Sequence, residues 1–539
     1  MMKKLLSSLM LIFSILFLAA CSENANSPSD ETTPSDVASD ESSSTETSTS
    51  QTNSDQLIVA IPADVTSLDP AITMDNTTWK IVYNVYERLV DYDGATTNIK
   101  PGVAEKWDVS EDGLTWTFNL EEGHNFSDGT PVDAAAVKAS FERSLEINAG
   151  PASVFTMVSE INVVDPMTVE FVLSDPFPPF LSTLAANYGN IVNPKVSEHD
   201  EGGDLGQNYL ATATMGSGPY TLTEWKQGDS LTLEVNEHAK VKPTLQKVVF
   251  KIIGDASVQS MQLEKGEIDI AEGIPVDQLQ LLEGLDNVTV LQEPSLLVDY
   301  VYINNKSTNV ALQDKRVRQA LNYAIDYDAM ISGVQLGFAT QMHGPIPDGL
   351  WGHDTSVYQY KQDIEKAKSL LAEAGAENLE LTLLYSDNKS WWETEALALQ
   401  ANLADIGVKL NLNKVAYATS REMMDKADFD LMLGVWSPDF GDPYMFMNYW
   451  FDSANHGLAG NRAFYTNEKV DALLKEASTN NDQQVRHELY KEIQDIVLDE
   501  APYILLYQKD FILPMSNDVK GFIYNPMLEG QYNLQDMSK

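Results

Sequence analysis

Pro101-Gly102-Val103-Ala104-Glu105-Lys106-Trp107, Gly113-Leu114-Thr115-Trp116-Thr117-Phe118 and Phe126-Ser127-Asp128-Gly129-Thr130-Pro131-Val132 follow one another in quick succession. Thr115-Trp116-Thr117-Phe118-Asn119-Leu120 alternates polar and apolar residues strictly, as a half-buried strand does. The third piece concentrates turn formers: Gly129 can take a positive φ, and Pro131 fixes its own. On either side, Leu57-Ile58-Val59-Ala60-Ile61, Val248-Val249-Phe250 and Leu431-Met432-Leu433-Gly434-Val435-Trp436 are apolar runs of strand length, the last two buried strands by composition. Helical spacing appears at Val317, Ala320, Leu321 and Ala324, with Asp314 placed as cap. It recurs at Ile364, Ala367, Leu370, Leu371 and Ala374, where Gly375 supplies a stop. Strands and helices are interleaved, which predicts α/β layers rather than separate all-α and all-β blocks. No short-period repeat is visible.

The chain has 539 residues, 43% of them hydrophobic, and a formal net charge of -45 from 35 Lys plus Arg against 80 Asp plus Glu. That length predicts two or three lobes at roughly 100–200 residues each. The charge argues against nucleic acid as a partner, since a polyanion demands a basic face. A single cysteine excludes an intrachain disulfide framework and any zinc site built on clustered thiolates. It follows Lys3-Lys4 and an apolar run from Leu5 to Ala20 that is shorter than the roughly 20 residues needed to span a bilayer, the pattern of a secretory signal. The ending Leu18-Ala19-Ala20-Cys21 resembles the lipobox of bacterial lipoproteins, which implies a signal peptide over residues 1–20 and a lipid-carrying Cys21. From Ser22 to Gln56 there is no Lys, Arg or aromatic residue, and about half the segment is Ser or Thr. Such a stretch cannot offset its ordering entropy, and residues 21–56 are expected to form a disordered tether.

The Pro101–Val132 pieces, together with Ser67-Leu68-Asp69-Pro70, Val85-Tyr86-Glu87-Arg88-Leu89-Val90, Gly216-Ser217-Gly218-Pro219-Tyr220 and Asp314-Lys315-Arg316-Val317-Arg318-Gln319-Ala320-Leu321, resemble in order the extracellular solute-binding proteins of peptide, oligopeptide and dipeptide ABC importers, bacterial solute-binding protein family 5. The resemblance implies an α/β bilobal clamp of the periplasmic-binding-protein type, with an additional subdomain and mixed sheets flanked by helices. By that analogy residues 57–95, 215–295 and 510–539 form the first lobe, 96–214 its added subdomain and 296–509 the second lobe. Gly216 and Gly218 would suit a chain crossing between lobes.

Family peptide binders hold the ligand backbone as an added strand and take its α-ammonium on an aspartate three residues after a tryptophan. The resemblance places these roles on Asp439 and Trp436, within Gly434-Val435-Trp436-Ser437-Pro438-Asp439, with Gly434 and Val435 on the same strip. Strand addition uses only backbone groups and so accepts any peptide. Asp442, before Pro443, is read as structural. The first-lobe strip is expected at Met74, Asp75 and Asn76. Dipeptide binders clamp the ligand carboxylate with an arginine in a loop that here reads Ser386-Asp387-Asn388-Lys389-Ser390-Trp391-Trp392. Lys389 is its cation, a point charge that cannot form arginine's planar fork. Arg462 is a second candidate, equally suited to packing, and Tyr507 aligns with a ligand-contacting position.

No nucleophile elbow, Walker loop or H-E-x-x-H pair is present, and the seven histidines show no ligand spacing. The expectation is a binding protein, not an enzyme, with no cofactor or metal. It would act as a monomer, capturing short peptides and delivering them to an ABC permease with its ATPases, and would touch the outer face of the membrane through its lipid anchor only. Alternatives are a non-peptide solute (a nickel complex, sugar, glutathione or opine) in the same fold, or a surface receptor or adhesin without transport.

Overall fold

In the computed structural model, residues 55–539 are described. Cys21, the signal and most of the tether lie outside them. An eleven-stranded mixed sheet runs, from one edge, through Lys409–Val415, Glu380–Ser386, Leu431–Trp436, Val288–Ile303, Tyr503–Ser516, Ile270–Ala271, Gln56–Ile61, Lys247–Ile252, Ser230–Val235 and Tyr220–Lys226. Ala339–Gln341 pairs with Tyr503–Ser516 off this path. The apolar runs read from sequence are all strands of this sheet. Gln56–Ile61 pairs parallel with Lys247–Ile252, and Leu431–Trp436 lies antiparallel to Val288–Ile303.

Two long strands join the halves of this sheet. Val288–Ile303 and Tyr503–Ser516 pair antiparallel along most of their length, and the ladder breaks register between Pro294 and Val298. A proline lacks the N–H that a ladder needs, which accounts for this break; a second falls between Asp299 and Tyr300. On one side Leu57, Val59, Ile61, Phe250, Tyr532 and Leu534 share a core. On the other, Val301, Ile303, Leu321, Leu383, Leu433 and Ile504 share a second.

The Thr115–Leu120 strand belongs to a separate four-stranded antiparallel sheet, ordered Ala104–Val109, Thr115–Leu120, Thr168–Leu173 and Val158–Asp165. Its alternation is real: Trp116, Phe118 and Leu120 are buried while the residues between them are half-exposed. Helix Ala134–Ile147, capped by the Asp133 side chain on the Ala136 N–H, sends Val137 and Phe141 into the same core. Its Arg143 makes a bidentate pair with Asp69, at 2.9 and 2.6 Å. The Ser67-Leu68-Asp69-Pro70 segment is thereby tied to this sheet by a buried, fork-shaped contact that lysine could not make.

The turn at Phe126–Pro131 forms as the composition predicts, with Gly129 at φ +81° and Asp128 accepting from the Thr130 N–H. Asp314 caps Lys315–Ala324 through the Arg316 N–H, and Gly375 ends Ile364–Ala374 in the left-handed conformation. Gly216 and Gly218 lie where the backbone passes too close to a neighbour for a side chain. A Cβ on Gly216 would lie 1.9 Å from the Val85 carbonyl oxygen, and one on Gly218 would lie 2.6 Å from that of Asn84. They are glycine because the chain passes against the end of helix Asn76–Val85.

Candidate functional site

At the end of the Leu431–Trp436 strand the chain leaves the sheet and turns through Pro438 toward the opposite half. There Tyr92 accepts a hydrogen bond from the Gly441 N–H at 2.9 Å. Beneath this loop lies a cavity of about 370 Å³, lined among others by Met74, Asn76, Trp79, Asn187, Tyr188, Lys389, Val435, Trp436, Asp439, Glu529 and Gln531. It gathers segments from the beginning, middle and end of the chain.

Asp439 is the pivotal group. No Lys, Arg or His lies within ion-pair distance of it among the described residues. Burial pushes its carboxyl up to about 6, and the Glu529 charge pushes the same way. The Tyr188 hydroxyl is buried beside it without a well-formed hydrogen bond; burial and the Asp439 charge raise the phenol well above its ordinary value. A desolvated carboxylate with no cation is costly, and a cation brought by a ligand relieves that cost.

Trp436 stacks on Tyr449, with centroids 5.0 Å apart and planes 21° from parallel. Its indole N–H has no partner. Arg462 does not line the cavity. It lies 5.5 Å from the Trp436 ring centroid and donates to the Tyr302 hydroxyl at 3.1 Å, so its contact in this structure is with the aromatic layer behind the site. Gly434 lies deeper still. A Cβ there would come within 2.4 Å of the Tyr300 ring, so this glycine makes room for aromatic packing and does not face the cavity. Asp75 is also outside the cavity lining: its carboxylate caps helix Asn76–Val85 at the Thr78 N–H and takes the hydroxyls of Thr66, Thr73 and Thr78. Its neighbours Met74 and Asn76 do line the cavity.

Lys389 reaches the cavity from the loop after Glu380–Ser386. That loop is held by Trp391, whose indole donates to Asp299 at 2.9 Å and whose ring lies 3.4 Å from Lys509 Nζ. Behind it Asp299 and Glu395 are both fully buried. Burial raises both carboxyls, Glu395 further because Asp299 is its neighbour. Tyr507 belongs to this cluster and not to the ligand cavity: it is fully buried, donates to Glu395 at 3.0 Å and accepts from Gln335 at 3.1 Å. Asp442, expected to be structural, is a buried bidentate partner of Arg486, at 2.9 and 2.7 Å.

Sequence reasoning missed Trp79, Asn187, Tyr188, Glu529 and Gln531. None carries a local signature. They come from a helix, a loop after the four-stranded sheet and the C-terminal segment, and only the tertiary fold assembles them.

A cleft closed by elements from both halves of one sheet, with a half-buried carboxylate that has no cationic partner among the described residues, is the geometry of a solute-binding protein. The chain belongs to the bacterial extracellular solute-binding proteins, family 5, whose model matches residues 98–458. Among its relatives, the probable D,D-dipeptide-binding periplasmic protein DdpA of Escherichia coli (strain K12) is 44% identical over 490 residues, covering 90% of this chain and 94% of that protein. The glutathione-binding protein GsiB of Salmonella typhimurium (strain LT2) is 30% identical over 481 residues, covering 87% and 92%. Among solved structures, the ABC transporter-associated periplasmic binding protein DppA from Helicobacter pylori in complex with peptide STSA superposes with a TM-score of 0.74 at 27% identity, covering 90% of this chain and 98% of that one.

Proposed function

We propose that the protein captures a short peptide by its free amino terminus on Asp439 and delivers it to the permease of an ABC importer. The observation that carries this reading is the half-buried Asp439 carboxylate in the cavity wall, raised to about 6 and without a cationic partner among the described residues. An α-ammonium is the complementary group. A charge-assisted hydrogen bond of this kind is worth about 1.5–3 kcal/mol net. Trp436 forms the adjoining wall, Val435 offers backbone for strand addition, and Lys389 is the cation available to the ligand's carboxylate. A cavity of about 370 Å³ is at the small end of the roughly 300–1,000 Å³ usual for ligand sites, which favours di- or tripeptides. The two sheet halves act as lobes with the 57–95, 215–295, 510–539 and 296–509 boundaries, residues 96–214 are an added subdomain, and closure is a hinge motion.

The likeness to DdpA makes D-alanyl-D-alanine the first ligand to try. Isothermal calorimetry of the full chain with D-alanyl-D-alanine, L-alanyl-L-alanine, glutathione and the N-acetyl form of each tests the reading. Free-amine peptides should bind and N-acetylation should weaken binding sharply. Equal affinity for free and acetylated forms would sink the ammonium role, and glutathione binding alone would move the ligand class. Cys21 carries the lipid in this reading, and labelling with an alkyne fatty acid should be lost in Cys21→Ala.

A further inference from the structure

The cavity carries a second acidic group that the family reading leaves without a task. Glu529 is half-buried, on the C-terminal segment. One of its carboxylate oxygens accepts from the Asn76 side-chain amide at 2.6 Å. The other is buried and has no partner. The residue sits at φ +34°, left-handed space that side chains of this size rarely occupy.

Around it, two side chains lining the same cavity are more than nine-tenths buried and hold polar atoms without partners. They are the Asn187 and Gln531 amide oxygens, on residues 6% and 4% exposed. Buried polar groups in native proteins are nearly always paired. Two carboxylates and two amide oxygens aimed into one cavity call for a donor-rich cation.

We propose that Glu529 is a second ligand-binding carboxylate: the ligand's ammonium sits between Asp439 on one wall and Glu529 on the other, and an amide oxygen of Asn187 or Gln531 takes the third N–H. This rests on the reading of Asp439 as the ammonium acceptor. A primary ammonium has three diverging donors, and a single aspartate does not use them all. The site therefore selects a primary amine over a secondary one, a demand that Asp439 alone would not impose. It also gives the ligand a means of favouring the closed form. Asp439 and Glu529 come from opposite halves of the sheet and repel when nothing lies between them, whereas an ammonium attracts both, the differential affinity that a closure equilibrium needs.

The test uses the full chain and whichever of D-alanyl-D-alanine and L-alanyl-L-alanine binds it, each also as its N-methyl form, in calorimetry at neutral pH. N-methylation should weaken wild-type binding about tenfold, the worth of one charge-assisted hydrogen bond. Glu529→Gln should weaken the primary amine by a similar factor and leave little difference between methylated and unmethylated ligand. Asn76→Ala, which releases Glu529 without altering its charge, should weaken binding to a smaller extent and decides the matter if Glu529→Gln fails to fold. Wild-type affinity, or a gain, in Glu529→Gln alongside a loss in Asp439→Asn would overturn the role of Glu529 and leave the Asp439 reading standing. Wild-type affinity in Asp439→Asn, or binding of neither peptide, would overturn the Asp439 reading and this one with it.

Discussion

Asp439 and Asp442 lie three residues apart in one loop, the first half-buried and the second buried, and their surroundings are opposite. Asp442 is gripped by both arms of the Arg486 guanidinium and receives the Tyr444 N–H as well. Asp439 faces a cavity with a second carboxylate and has no cation within ion-pair distance among the described residues. A carboxylate saturated by its own chain is architecture. One that the fold half-buries in a cavity wall and leaves without a counter-charge at ion-pair distance is held ready for something that arrives from outside.

That contrast can be broken at either end. The largest effect belongs to the saturated pair: Arg486→Ala leaves a buried charge alone and should destabilise the protein by about 3–5 kcal/mol, read as a lowered midpoint in urea. An unchanged midpoint would mean the pair is not needed for the fold. Asp439→Ala should do the reverse, with little loss of stability but a binding loss of about 2–5 kcal/mol for free-amine peptides. An unchanged Kd would reassign the ammonium to another group.

The third effect is pH-dependent. With its pKa raised to about 6 from 3.8, Asp439 holds a proton more tightly in the folded ligand-free protein than in the unfolded chain. Its contribution to stability is therefore fully present below pH ~4 and is lost as pH rises through about 6. Asp439→Asn should raise the stability of the ligand-free protein above pH ~6 by up to ~3 kcal/mol, with the gain vanishing near pH 4 in thermal melts. Peptide binding needs the ionised form, so affinity should fall as pH drops through about 6. The smallest effect is expected at Lys389, only partly buried, where Lys389→Ala should cost about 1 kcal/mol of binding. Loss of that effect with a ligand amidated at its carboxyl end would tie Lys389 to the ligand's carboxylate.

Sequence alone placed the elements well wherever the signal was local. The alternation from Thr115 to Leu120, the Asp314 cap and the Gly375 stop each depend on neighbours a few residues away, and each forms as read. The resemblance to family peptide binders likewise brought two cavity residues, Trp436 and Asp439, to notice. What could not be read was which side of an element faces what. Tyr507 and Gly434 lie on strands that pass close to the site, but the Tyr507 ring turns into the Glu395 cluster and Gly434 admits the Tyr300 and Tyr302 rings. Asp75 was one residue from two cavity residues and is spent on a helix cap. Glu529 left no trace, because its importance comes from Asn76 and Asp439, which are far away in the chain.

The Tyr503–Ser516 strand has a consequence for how the molecule is made. Its partner Val288–Ile303 lies more than two hundred residues upstream, and another neighbour, Ile270–Ala271, adjoins the first strand of the body. Tyr532, Leu534 and Met537 fill the same core as Leu57 and Val59. Neither half of the sheet can be completed until these late residues have emerged. Such non-local closure is slow and leaves apolar edges open to aggregation meanwhile, so a chain interrupted near residue 500 would expose the unpaired edge of Val288–Ile303 instead of yielding one finished half.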